Sequence, residues 1–272
     1  MEINDFQDIL YEKEPETGIV TITFNRPERK NALSLVTFLE LAQALEVMSA
    51  DPEARVLILT GRGEAFSSGG YFNLAFMQSL PPEVLSRIDV TDIAQKKICL
   101  KFWEFDKPVI AAINGLAIGA GFTLPLACAD LIYLAEEAYI KFPFTQIGVI
   151  QEFACSYLLP RLLGFQKAKE LLFFPEKIPA ARALELGLVN GVVPGADLMA
   201  FVREKARRLV PPQGAALALR LAKQALHKPL IGEISAALDQ ENLGLNQAFG
   251  SEDFFEALTA RLEKREPRFK GR

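Results

Sequence analysis

Apolar runs predict four strands in the first half of the chain. Residues 18–24 (GIVTITF) alternate in character and are rich in β-branched side chains, which is typical of a strand. Residues 55–60 (RVLILT), 108–113 and 131–134 are almost continuously apolar, as expected for strands that are covered on both faces. A parallel sheet wrapped by helices is therefore expected.

Helical periodicity separates these strands and dominates the last third of the chain. Residues 34–50 place apolar side chains on one helical face, with Ser34 as the N-cap. Residues 142–144 are expected to close an extended segment before a helix over 153–163. Further helices are predicted over 180–188, 197–209, 214–227 and 232–265, with a short extended stretch over 189–194. The chain thus predicts an α/β fold in which a ββα-like unit recurs before a helical C-terminal region.

A joint rich in small residues follows the third strand. It contains Asn114-Gly115 and Gly119-Ala120-Gly121, and then a helical run in which Pro125 is taken to lie in the first turn. Small residues let a ligand approach the backbone, and a helix N-terminus offers N–H groups to an anion or to an oxygen that is becoming one. A tight turn without a ligand explains the same residues, so the residues alone leave both interpretations open.

A second glycine-rich loop lies at 61–74 (GRGEAFSSGGYFNL) and contains a small-residue turn at 67–70. The segment that follows, to about residue 101, is predicted to be helical with an interruption at Pro81-Pro82. This segment is either a flap over a site or an irregular pair of helices.

Composition narrows the chemistry. The net charge is -4, whereas proteins that bind nucleic acid usually carry an excess of basic residues. The three cysteines, Cys99, Cys128 and Cys155, show no metal or disulfide spacing and are interpreted as reduced thiols. The only histidine, His227, is predicted at a helix end or on the surface, so a Ser-His-Asp triad or a histidine-rich metal site is disfavoured.

No targeting signal is predicted from the sequence. Residues 1–10 do not combine a basic region with an apolar one, no apolar run reaches about 18 residues, and the final KGR is not an organelle address. A cytoplasmic location without a membrane span is therefore predicted.

Four motifs together resemble one family over almost the whole chain, from residue 19 to 272. They are NRPERKNALS (25–34), GRGEAFSSGG (61–70), KPVIAAINGLAIGAGFTL (107–124) and ARALELGLVNGVVP (181–194). Their order and spacing resemble the crotonase, or enoyl-CoA hydratase/isomerase, superfamily. The resemblance implies a spiral of ββα repeats over 1–195 that carries the coenzyme A (CoA) site, and a C-terminal helical region over 196–272 for oligomerisation.

The resemblance also implies a ligand and an assembly. The ligand is an acyl-CoA thioester, no separate cofactor or metal is implied, and the assembly is a homotrimer or a hexamer built as a dimer of trimers. The amides of Gly70 and Ala120 match the two donors of the oxyanion hole, which binds the thioester oxygen. The expected substrate- and CoA-binding residues are Lys30, Ala32, Leu33, Ser68, Gly69, Tyr71, Phe72, Leu74, Gly119, Gly121, Phe144 and Lys270.

Parts of that set have more specific expectations. Lys30, Ala32 and Leu33 match the segment that cups the adenine and pantetheine of CoA. Lys270, with Arg265, resembles the basic tail groups that meet a CoA phosphate. Tyr71 and Phe72 replace the Asp-Leu or Asp-Phe that is usual after the oxyanion turn, and this change is expected to reshape the acyl pocket.

The side chains at the catalytic positions decide the reaction. Hydratases of this family use two glutamates, and the matching positions here are Thr123 and Phe144. Glu152 instead falls on the single catalytic glutamate of peroxisomal-type Δ3,Δ2-enoyl-CoA isomerases and their bacterial relatives, with Gln151 in place of the usual proline. Local sequence alone favours Glu152 as a carboxylate at a helix start, whereas the resemblance favours a catalytic base.

The resemblance thus implies an isomerase with Glu152 as its only acid/base. A hydratase or thioester hydrolase of the same family remains an alternative, as does a member that binds acyl-CoA without turning it over.

Overall fold

The computed structural model describes residues 3–71 and 79–272. Two of the predicted ligand-binding residues, Phe72 and Leu74, lie outside this part of the chain. The strands are β1 Ile9–Lys13, β2 Ile19–Phe24, β3 Val56–Gly61, β4 Ala65–Ser67, β5 Val109–Ile113, β6 Leu116–Ile118, β7 Leu131–Ala135, β8 Tyr139–Lys141, β9 Ile178–Pro179 and β10 Gly191–Val193.

These strands form two sheets. The larger sheet has the order β1-β2-β3-β5-β7-β10, in which β1 and β2 are antiparallel and the other neighbours are parallel. The smaller sheet has the order β4-β6-β8-β9. Strands β3, β5 and β7 are each followed by a short strand of the smaller sheet. The predicted ββα repeat is therefore confirmed.

The helices are α1 Leu35–Ala50, α2 Pro82–Leu85, α3 Lys96–Glu104, α4 Ala120–Cys128, α5 Cys155–Leu163, α6 Phe165–Phe173, α7 Ala180–Glu185, α8 Leu198–Arg207, α9 Ala216–His227, α10 Ile231–Phe249 and α11 Glu252–Glu263. Ser34 caps α1 as predicted: its hydroxyl accepts from the amide of Thr37, and the Thr37 hydroxyl accepts from the amide of Ser34. His227 is the last residue of α9, so its predicted place at a helix end is confirmed. Its Nε2 atom lies 3.6 Å from Oδ1 of Asp130.

Four local predictions need correction. Pro125 lies in the second turn of α4, because the helix begins at Ala120. Phe144 begins a 3-10 helix, Phe144–Ile147, so the extended segment ends before it. The helix predicted from residue 153 begins at Cys155. The single helix predicted over 232–265 is two helices, because the hydroxyl of Ser251 accepts from the amide of Phe254 and starts α11 anew.

The C-terminal helices return to the core of their own chain. Helix α10 packs against α3 and α5, and α11 packs against the 3-10 helix Phe144–Ile147. Their predicted part in oligomerisation stays a prediction, as does the boundary at residue 195. Among the helices that the structure describes, none is long and apolar enough to cross a membrane.

Candidate active site

The two small-residue turns meet. A Cβ atom on Gly69 would lie 2.5 Å from the carbonyl oxygen of Ile118 and 3.6 Å from the amide nitrogen of Ala120. A Cβ atom on Gly121 would lie 2.3 Å from the carbonyl oxygen of Ser67. Only glycine fits at contacts this short, and Gly69 also has a φ of +93°. The turn after β4 and the start of α4 therefore lie in backbone contact.

Two amides are presented at this contact. Leu33 donates to the carbonyl of Gly69 over 2.8 Å and accepts from the amide of Tyr71 over 2.8 Å, so Gly70 bridges Leu33 in parallel fashion. In such a bridge the intervening amide, that of Gly70, points away from the partner strand. Ala120 is the first residue of α4, where amides have no acceptor within the helix. Within the described residues neither amide donates a hydrogen bond, so both can serve an oxyanion.

The predicted CoA segment lies beside the first turn. The amide of Ser68 donates to the carbonyl of Lys30 over 2.9 Å. Lys30 and Asn31 both have positive φ, and the Asn31 side chain donates to the carbonyl of Ala65 over 2.7 Å. Asn31 was missed from the sequence, although asparagine tolerates this backbone conformation better than most residues. This link holds Lys30, Ala32 and Leu33 against the loop that leads to Gly70.

The two hydratase positions hold no ionisable group. Thr123 is fully buried, and its hydroxyl donates to the carbonyl of Gly119 over 3.3 Å. Phe144 is buried, and its ring edge lies 3.8 Å from where a Cβ atom on Gly119 would be. An apolar ring and a hydroxyl bonded to the backbone therefore occupy these two places.

Glu152 precedes a left-handed turn rather than a helix. Phe153 and Ala154 have φ of +57° and +54°, a conformation that costs roughly 1–2 kcal/mol for each residue other than glycine. The Phe153 ring is fully buried against Phe38. Helix α5 begins only at Cys155 and packs against α4. Glu152 therefore lies just before a helix that packs against the helix beginning at Ala120.

The carboxylate at the start of α5 is Glu241, from α10. Its Oε2 accepts from the amide of Ala154 over 2.7 Å, and its Oε1 accepts from the amide of Ser156 over 2.8 Å. The interpretation of Glu152 as the helix-start carboxylate is therefore wrong, because Glu241 fills that role. Sequence reasoning missed Glu241, since it lies in a different element far along the chain.

Both carboxyls have raised pKa values. Burial first, and then the nearby charge of Glu241, raise the pKa of Glu152 to about 8. Burial raises the pKa of Glu241 to about 7, although its hydrogen bonds to Ser156 and Ala154 act in the opposite direction. Glu152 can thus hold or release a proton near neutral pH, which is what proton transfer to and from carbon requires.

A family model described as enoyl-CoA hydratase/isomerase matches residues 14–272. This chain belongs to the enoyl-CoA hydratase/isomerase family. The superfamily inferred from the four motifs is confirmed, whereas the isomerase branch stays a prediction.

The names of similar proteins include both hydratase and isomerase activity. The chain is 35% identical to the crotonyl-CoA hydratase of Syntrophomonas wolfei subsp. wolfei over 265 residues, 97% of this chain and 98% of the relative. It is 31% identical to the enoyl-CoA isomerase/hydratase fer4 of Mycosarcoma maydis over 266 residues, 94% of each. A crystal structure of an enoyl-CoA hydratase/isomerase from Pseudoalteromonas atlantica T6c matches with a TM-score of 0.84 and 28% identity, over 97% of this chain and 100% of that one.

Tyr71 follows Gly70 in the turn after β4 and contacts two arginines. The Cζ atoms of Arg26 and Arg29 lie 4.7 Å and 5.3 Å from the centroid of its ring. The Arg26 side chain also donates to the carbonyl of Ala32 over 2.8 Å. These cation–π contacts connect Tyr71 to the predicted CoA segment. Neither arginine was singled out from the sequence, because the pairing depends on the fold.

The basic residues that follow α11 form ion pairs with acidic side chains of that helix. The amide of Lys270 donates to Asp253, and its ammonium group pairs with Glu252 over 3.2 Å. Arg265 pairs with Glu256 and Glu263. These groups are on the surface, and the contact of Lys270 with a CoA phosphate stays a prediction. Within the described residues no group of three or more His, Cys, Asp or Glu side chains could hold a metal ion.

Proposed function

We propose that this protein is a Δ3,Δ2-enoyl-CoA isomerase that converts a 3-enoyl-CoA to the 2-trans-enoyl-CoA, with Glu152 as its acid and base. The observation that carries the proposal is the raised pKa of Glu152, about 8, at a site where Thr123 and Phe144 offer no second carboxyl. A single group that can lose and regain a proton suits a reaction that moves one proton from C2 to C4.

In the first step the thioester oxygen accepts hydrogen bonds from the amides of Gly70 and Ala120. The Glu152 carboxylate takes a proton from C2, and the electrons of that C–H bond delocalise over C2 to C4 and the oxygen. In the second step the Glu152 carboxyl returns the proton to C4, so that the double bond lies between C2 and C3. Atoms and charge balance without any co-reactant.

Each part of the site has an expected share in the rate. One preorganised oxyanion donor is worth roughly 2.7–4 kcal/mol in comparable sites. A positioned general base contributes about 10²- to 10⁴-fold. The phenyl rings of Phe144 and Phe153 are buried, and we expect this apolar setting to keep water from the reacting carbons.

Hydration of a 2-enoyl-CoA is the second candidate. The name of the crotonyl-CoA hydratase relative favours it, and Glu241 is a second buried carboxyl near Glu152. Against it, both Glu241 oxygens accept backbone hydrogen bonds, so they are not directed at a water molecule. Thioester hydrolysis and binding without turnover are weaker candidates, and both lack a supporting contact.

The proposal also covers the oligomeric state and the cellular location of the protein. We propose a homotrimer or hexamer. Large apolar side chains exposed on α9, α10 and α11 favour contact with further subunits: Leu217, Leu221, Leu226, Leu243, Phe255 and Leu262. The substrate is an acyl-CoA thioester, no further cofactor is used, and the protein acts in the cytoplasm.

The deciding experiment offers the protein a 3-trans-enoyl-CoA and a 2-trans-enoyl-CoA separately. We expect absorbance of the conjugated enoyl thioester to grow with the first substrate and to stay constant with the second. Loss of that absorbance with the second substrate would show hydration and contradict the proposal. Tight CoA binding without turnover of either substrate would favour the binding protein.

In the same assay, kcat/KM should depend on pH. Because only the ionised Glu152 accepts a proton and its pKa is about 8, kcat/KM should rise about tenfold per pH unit from about pH 6 to 7.5 and level off above about pH 8.5. Unfolding temperatures measured over the same range control for loss of the fold. A flat profile between about pH 6 and 9 would exclude Glu152 as a base with a raised pKa.

A further inference from the structure

We propose that Glu241 is a positioning residue for the base Glu152. Its carboxylate holds the left-handed turn at Phe153 and Ala154, and that turn directs Glu152 toward the bound thioester. This inference rests on the proposed function and adds to it a role for the C-terminal helical region of the same chain.

The hydrogen bonds define the first part of this role. Both oxygens of Glu241 accept from amides that follow Glu152 closely in the chain, those of Ala154 and Ser156. Glu241 is only 1% exposed, so water does not compete for these bonds. Phe153 and Ala154 hold a backbone conformation that side chains disfavour, and such a turn persists only where its surroundings enforce it.

Helix α10 is brought close by a glycine. Gly244 lies three residues after Glu241, on the same helical face. A Cβ atom on Gly244 would lie 2.4 Å from the Cδ1 atom of Ile150. The helix thus contacts the chain on both sides of Glu152, at Ile150 before it and at Ala154 after it.

The other side of α10 is anchored as well. The side-chain oxygen of Asn242 accepts from the amide of Ala94, and its amide group donates to Asp92 over 3.2 Å. Lys96, at the start of α3, pairs with Asp239 over 2.7 Å. Because α10 is held from both sides, the position of Glu241 is set by the fold rather than by its own flexibility.

Charge forms the second part of the role. A negative Glu241 disfavours a negative Glu152, which makes the Glu152 carboxylate a stronger base once it is formed. Among the described residues, the other ionisable group acting on this turn is the thiol of Cys155, and burial raises its pKa. The neighbour from α1 is Phe38, which carries no charge.

The test is Glu241→Gln with Glu233→Gln as its matched control. Glu233 lies on the same helix and accepts a hydrogen bond from the hydroxyl of Tyr157 in α5, on the surface. The glutamine at 241 keeps one acceptor but turns an NH₂ group toward the other backbone amide. We expect kcat to fall about tenfold or more with KM within about threefold, because the base is misplaced while CoA still binds. The control should keep both constants.

The pH profile separates positioning from plain structural support. Loss of the Glu241 charge lowers the pKa of Glu152, so the rising limb of kcat/KM should move to lower pH by about half a unit or more. An unchanged kcat and an unchanged limb would overturn the inference. A lower kcat with an unmoved limb and a lowered unfolding temperature would also overturn it, since Glu241 would then only support the fold.

Two further measurements keep the result decisive. If Glu241→Gln does not fold, Glu241→Asp keeps the charge but draws both acceptor oxygens back from the amides of Ala154 and Ser156; a lower kcat supports the inference and an unchanged kcat contradicts it. If the wild-type protein does not isomerise 3-enoyl-CoA, the proposed function fails by itself. The ¹³C NMR titration of Glu152, assigned with Glu152→Gln, then tests the coupling without substrate: an equal Glu152 pKa in wild type and Glu241→Gln would overturn it.

Discussion

Replacing Glu152 with glutamine should lower kcat for 3-enoyl-CoA isomerisation by about 10³-fold, within the range of 10² to 10⁴ that positioned general bases contribute. Glutamine has nearly the same shape as glutamate, but it cannot accept a proton from carbon at neutral pH. KM should stay within about threefold, because the oxyanion amides and the CoA segment are untouched. Initial rates from the growth of enoyl-thioester absorbance measure both constants.

Two controls accompany this variant. Glu176→Gln removes an exposed carboxylate and should leave kcat and KM unchanged. Unfolding of Glu152→Gln at pH 7 should occur at the wild-type temperature or above it, since the replaced carboxyl is disfavoured in its charged form. If the Glu152→Gln protein is folded and keeps the full rate, another group is the base and the proposed role of Glu152 is wrong.

Replacing Gly69 with alanine should separate the two turns of the proposed oxyanion hole. The added Cβ atom would lie 2.5 Å from the carbonyl oxygen of Ile118, a backbone atom that cannot move aside alone. The φ of +93° adds strain, and together these effects should lower the free energy of unfolding by about 2–4 kcal/mol. Because a shift of a few tenths of an ångström misplaces the donors, kcat/KM should fall about 10²-fold or more.

Gly187→Ala is the matched control. Gly187 has a φ of +77°, and a Cβ atom added there would meet no other atom within 4 Å, so the variant carries the backbone strain without the contact. It should lose only about 1 kcal/mol of stability and keep its activity. Chemical denaturation and initial rates compare the two variants. Equal losses of stability, with full activity in Gly69→Ala, would show that contact between the turns does not matter to catalysis.

The sequence predicted best those strands and helices that have a long apolar pattern of their own. Strands β2, β3, β5 and β7 were predicted because a buried strand needs a continuous or alternating apolar run. Helix α1 was predicted to within one residue, because its apolar face and its Ser34 cap are both local signals. Strands β4 and β6 have three residues each, which is too short for a periodic signal, so they entered only as part of the expected repeat. Strand β8 lies in the extended segment that residues 142–144 were expected to close.

Within the site, the two turns could be predicted but their contact could not. Glycines at 69, 70, 119 and 121 indicate backbone freedom, and the motif order indicated which amides to consider. The distance between Gly69 and Ala120 depends on the pairing of β4 with β6. No local signal announced the left-handed conformation of Phe153 and Ala154, because neither residue is one that favours it.

The sequence by itself determined the superfamily, the α/β class, the two glycine-rich turns and the absence of carboxyls at Thr123 and Phe144, since each of these depends on residue type and spacing along the chain. Only the tertiary structure decided that Glu241 accepts the amides after Glu152 and that burial raises the pKa of Glu152 to about 8. Burial and electrostatic coupling depend on which distant segments pack together, and α10 reaches this turn through the fold rather than through any sequence neighbour.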